Sequence, residues 1–79
     1  MDVQKTILQI FAKVFDKKQE DLHLTDRKED ILAWDSISHL LLIMKLETAF
    51  NIKLKTDEVI EIDSIRKCIE IIEPLINSN

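Results

Sequence analysis

Ser36, with Asp35 before it and His39 one helical turn after it, is where residue types and spacing in this chain could do chemistry. Two chemistries fit. A serine, a histidine and a carboxylate are the parts of a hydrolytic nucleophile. A serine at the amino end of a helix is also a place where a phosphate ester would be stabilised, because the first-turn amides lack partners and the helix dipole favours negative charge. The hydrolytic arrangement fails on geometry: three residues from one helix start leave the acid unable to orient the imidazole from its far side, and no oxyanion hole or pocket is evident. No catalytic residue is therefore expected. The bland alternative for Ser36 is that it helps Asp35 to cap the helix.

The other chemistry-bearing residues are less promising. Cys68 is the only cysteine, so no intramolecular disulfide can form. It lies among Ile65, Ile69 and Ile72 as a small core residue, with no cation on that stripe to activate it. His23 has no partner at ligand spacing, and no metal site is expected. His39 falls on a core stripe, where a satisfied, half-buried histidine is the usual role. Two placements suit Trp34, the only tryptophan: stapling the loop onto the helix that follows, or standing exposed beside Ser36 for recognition.

These residues need a scaffold, and 79 of them supply a small one. A chain this size buries only roughly 60–65% of the surface it exposes when unfolded, which leaves no room for a deep catalytic cavity. There is no Gly and one Pro, which suits helices and excludes phosphate-cradling glycine loops. A formal charge of −4 argues against nucleic acid and favours basic partners. The start of the chain has no signal-peptide apolar region, and no run is long enough to insert in a membrane, so a cytoplasmic location is expected.

Apolar periodicity predicts an all-α fold, a small four-helix bundle of three main helices and a short third one, with residues 1–79 as one domain. The first helix runs over 3–15 on Val3, Ile7, Ile10, Phe11, Val14 and Phe15, with Asp2 as its cap. Residues 16–35 form a long polar loop that Leu22, Leu24, Ile31 and Leu32 could pin to the core. The second helix occupies 36–50 and Asp35 caps it. Thr56, Asp57 and Glu58 read as the cap and acidic first turn of a helix over 56–61. The fourth covers 64–73 and should stop near Pro74, with Asn77, Ser78 and Asn79 frayed.

The second helix carries two stripes. His39, Leu42, Ile43, Leu46 and Phe50 make a sufficient core face. Ile37, Leu40, Leu41 and Met44 cluster nearly opposite, with Ser36 at the amino end of that stripe. Such a second stripe is either a contact surface or is covered by the 16–35 loop.

On these residues the chain resembles an acyl carrier protein. The likeness covers nearly the whole domain. Asp35-Ser36-Ile37 stands at the family's Asp-Ser-Leu signature, and Leu46-Glu47-Thr48-Ala49-Phe50 is similar to its Leu-Glu-x-x-Phe helix end. Trp34-Asp35-Ser36-Ile37-Ser38-His39 looks like the Trp-Asp-Ser-Leu-x-His pattern of stand-alone carriers. The resemblance implies 4′-phosphopantetheine esterified to Ser36, taken from coenzyme A by a phosphopantetheinyl transferase that also recognises Asp35. It implies a monomer that passes an acyl or aminoacyl thioester between acyl-activating, synthase or acyltransferase enzymes. Trp34, Ile37, Leu40, Leu41, Met44 and Glu47 match the partner surface, and Leu46, Val59, Ile62 and Cys68 the positions lining an acyl path between helices. Where fatty-acid carriers have a strongly acidic second helix, this one has one acid, Glu47, and one base, Lys45. That departure implies a dedicated pathway carrier rather than the housekeeping one. A helical adaptor docking through the second stripe, with no covalent chemistry, is the competing function.

Overall fold

The computed structural model describes residues 2–77. They form α1 (Val3–Val14), α2 (Ser36–Phe50), α3 (Thr56–Glu61) and α4 (Ile65–Asn77), with single 3-10 turns at Gln19–Asp21 and Lys28–Asp30. The fold is all-α, as the periodicity predicts; the described residues contain one isolated bridge, Arg27 with Ser64, and no strand.

Asp2 caps α1, its Oδ1 accepting the Lys5 N–H at 3.1 Å. The buried stripe of Val3, Ile7 and Phe11 continues past the helix end into Phe15. Asp16 then takes a left-handed φ of 54° and turns the chain away; Asp is among the few residues that tolerate this region. α2 ends the same way at Asn51, with φ 53° and ψ 50°, the usual alternative to glycine at a helix C-terminus. α1 packs on both α2 and α4, and the core runs between them through Ile7, Phe11, Leu42, Leu46, Ile65 and Ile72.

The start of α3 differs from expectation. Lys55, not Thr56, is the capping position, and its N–H donates to Glu58 Oε1 at 2.8 Å. The carboxylate three residues on satisfies the cap's backbone, so no hydroxyl is needed there.

α4 begins after Ser64, whose Oγ accepts the Lys67 N–H at 3.0 Å, and it does not stop at Pro74. It continues to Asn77 with Pro74 inside it. The reason is the stripe of Ile65, Cys68, Ile69 and Ile72, whose next helical position, Ile76, also packs against the core. Burial of that last turn outweighs the one backbone hydrogen bond that proline removes. Of the three residues expected to fray, Asn77 closes α4, while Ser78 and Asn79 lie outside the described residues.

The 16–35 loop is tied to α4 and not to the second stripe of α2. The Ile65 and Arg66 amides, free donors at the start of α4, donate to the carbonyls of Asp26 at 3.1 Å and Leu24 at 2.9 Å. Lys28 N–H donates to the Asp63 carbonyl at 2.7 Å. Leu22 and Ile31 are buried and Leu24 half-buried, as pinning residues should be, but Leu32 is fully exposed at 101%. The Trp34 N–H donates to the Ile31 carbonyl at 2.9 Å, which puts Leu32 and Ala33 at the tip of a tight turn pointing into water.

Candidate functional site

The amino end of α2 is closed by a reciprocal pair of hydrogen bonds. Asp35 Oδ1 accepts the Ser38 N–H at 2.9 Å, and Ser38 Oγ accepts the Asp35 N–H at 2.8 Å while donating to the Ala33 carbonyl at 2.7 Å. This is a capping box with the acid and the hydroxyl exchanged between its two positions. The cap therefore belongs to Asp35 and Ser38. Ser36, one residue into the helix, is exposed, and among the described residues its hydroxyl has no hydrogen-bond partner. The signal for Ser38 was present as Asp-x-x-Ser, the reverse of the familiar Ser-x-x-Glu spacing.

The Ser38 amide, then the Ser38 hydroxyl, hold the Asp35 carboxyl below its ordinary value of 3.8. A carboxylate with a depressed folded-state pKa adds stability that is complete above the ordinary value and is lost as pH falls through the folded one. Asp35→Ala should therefore melt earlier than the parent at neutral pH. Thermal melts repeated in acid should show the gap closing once the carboxyl is protonated.

Trp34 takes the stapling placement. It is buried at 4% exposure, edge-on to Phe11 with centroids 5.3 Å apart and tilted against Phe15 at 5.4 Å. A buried indole offers no surface to a partner, so Trp34 does not belong to the docking surface. Its Nε1–H donates to His39 Nδ1 at 2.9 Å. An indole nitrogen can only donate, so Nδ1 must accept, and the ring proton sits on Nε2, 2.8 Å from the Val59 carbonyl, to which it donates. Both imidazole nitrogens are occupied, one by the loop and one by α3, and neither is left to activate Ser36. The same two bonds tie the site's helix to its neighbours.

The second stripe of α2 is exposed: Ile37 at 80%, Leu40 at 61%, Leu41 at 42% and Met44 at 62%. Among the described residues no loop covers it, and Leu32 adds another exposed apolar side chain at the turn just before Ser36. Glu47 has a structural task. It is half-buried, and its Oε2 accepts the Leu54 N–H at 2.9 Å, fastening the α2–α3 connection.

Of the four positions matched to an acyl path, Leu46, Ile62 and Cys68 are buried in the core and Val59 is half-buried on α3. Burial pushes the Cys68 thiol up to about 12, so it stays protonated and unreactive near neutral pH. A thiol alkylating agent should leave the unmodified folded protein untouched and label it once in denaturant. Mass spectrometry reads the difference; labelling at the native rate of a free cysteine would show that Cys68 is accessible.

A bundle that spends His39 on structure and holds the Ser36 hydroxyl in water at a helix start, beside an apolar strip, is built to be modified and visited rather than to catalyse. A family model described as a phosphopantetheine attachment site matches residues 5–72, and the chain belongs to that family. Its members are non-catalytic carrier domains bearing covalently attached 4′-phosphopantetheine, and this chain is a carrier protein of that kind, working with synthase and transferase enzymes. No curated protein matches the chain. Among the described residues no helix is long and apolar enough to cross a membrane.

Proposed function

We propose that Ser36 is the attachment point, and that residues 1–79 act as one monomeric, cytoplasmic carrier domain for an acyl or aminoacyl group in a dedicated pathway. The carrying observation is the Ser36 hydroxyl: exposed, without a hydrogen-bond partner among the described residues, in the first turn of α2 and inside the matched segment. A phosphodiester at this oxygen faces the amide end of a fifteen-residue helix, where negative charge is favoured. When bound, the prosthetic group supplies a terminal thiol on a flexible arm that holds the cargo as a thioester. Cys68, buried and protonated, does not compete with that thiol for acyl groups.

Asp35 serves this reading twice, as cap and as a carboxylate next to Ser36 for a phosphopantetheinyl transferase to recognise. Ile37, Leu40, Leu41 and Met44 form the docking strip for the acyl-activating, synthase or acyltransferase partners. α3 buries no residue completely and is held by the His39–Val59 hydrogen bond, so it is the element best able to move aside and admit an acyl chain toward Leu46, Ile62 and Cys68. With one acid and one base along α2, docking leans on apolar contact and is less salt-sensitive than it would be on an acidic helix. This favours a dedicated pathway over general fatty-acid synthesis.

Incubation with coenzyme A and a broad-specificity transferase should add one phosphopantetheine mass, located by fragmentation to the peptide holding Ser36. Failure with several transferases, or modification elsewhere, would overturn the assignment.

A further inference from the structure

The groove between α1 and α2 has an electrical character opposite to that of the chain. Its floor and walls include Ile10, Leu41, Met44 and Ala49, and among the described residues its charged lining consists of Lys13 from α1 and Lys45 from α2, with no carboxylate. The two helices that build it carry Lys5, Lys13 and Lys45 against Glu47 alone, a net +2 inside a chain of −4. Glu47 is further withdrawn by its hydrogen bond to the Leu54 amide. The acids are thus segregated to the loops, α3 and α4, and the groove is left basic. Leu41 and Met44 belong both to this groove and to the exposed strip that leads to Ser36.

We propose that this groove seats an amphipathic helix of the acyl-handling partner whose apolar stripe is flanked by carboxylates; the proposal rests on the carrier reading above. From Leu41 to Ala49 the groove's α2 wall offers roughly 12 Å, the length of about two turns of a partner helix. Apolar side chains enter between α1 and α2, and carboxylates meet Lys13 and Lys45 at the rims. The lysines choose the sign and register of the partner more than they add to affinity.

Other occupants fit less well. An anionic membrane is held by clusters of about four to eight bases, against two here. A second copy placed on the same face by a twofold axis would set Lys13 and Lys45 opposite the same lysines.

The test uses the isotope-labelled full chain after phosphopantetheine loading, with two synthetic helical peptides of one length and one leucine stripe, flanked in one case by glutamate and in the other by lysine. The glutamate peptide should bind at least about tenfold tighter and move the amide resonances of Ile10, Lys13, Leu41, Met44 and Lys45. In the double variant Lys13→Glu, Lys45→Glu the preference should reverse, and in Lys13→Gln, Lys45→Gln it should vanish; all four substitutions are at exposed positions, so the fold is retained and circular dichroism checks it. Equal binding, preference for the lysine peptide, or shifts outside the groove would overturn the proposal. So would a doubled mass in light scattering, or lysine-dependent sedimentation with phosphatidylglycerol vesicles. The loading step is read separately by mass, so a chain that loads but shows no preference refutes this inference alone, and a chain that does not load refutes the carrier reading.

Discussion

Ser36→Ala should take up no phosphopantetheine at all, while its urea midpoint stays where the parent's is. The two halves of this result come from different parts of the structure. Modification requires an oxygen at this position, and the exposed hydroxyl one residue inside α2 is the oxygen we assign to it. Stability does not require it, because the α2 cap is completed by the hydrogen bonds between Asp35 and Ser38. Losing an exposed hydroxyl without a hydrogen-bond partner should change folding free energy by no more than about 0.5 kcal/mol. Ser38→Ala is the mirror-image control. It breaks the cap and the bond to the Ala33 carbonyl, lowering the midpoint, yet should still be loaded. Intact mass and urea titration on the two variants separate the serine that carries from the serine that holds. A loaded Ser36→Ala would place the attachment point elsewhere.

Trp34→Ala should be the most damaging single change near the site, costing about 3–5 kcal/mol, the range for truncating a buried large aromatic. A chain of this length has roughly 4–12 kcal/mol in all, so the variant gives up from about a quarter to all of its stability. The loss has three sources: the contacts with Phe11 and Phe15, the cavity left between the loop and α1, and the His39 Nδ1 acceptor deprived of its donor. Two residues earlier, Leu32→Ala should be neutral within about 0.5 kcal/mol, because Leu32 is already in water. Chemical denaturation followed by circular dichroism measures both; a mild Trp34→Ala would mean that the indole is not packed as described.

The contrast between Leu32 and Trp34 shows where a sequence stops being readable. Both are large apolar residues in a polar loop, and no periodicity acts on an irregular segment. Their fates depend on the hydrogen bond that closes the turn from Ile31 to Trp34. The end of α4 was missed for a related reason: proline is a local signal, whereas the burial of Ile76 that overrides it comes from α4 packing into the core.

α1 and α2 were legible almost to the residue, because each combines an acidic cap with apolar residues at helical spacing, and both properties are local. The two stripes of α2 were legible too, since 3.6 residues per turn separates them on any helix. What a linear chain cannot express is which long-range contacts consume its polar groups. Folding alone decided that the second stripe stays bare because the loop is drawn to the free amides of α4. Folding also decided that His39 is used up between Trp34 and Val59. Those choices follow from satisfying buried donors and acceptors across distant segments, and they leave one hydroxyl free at the head of α2.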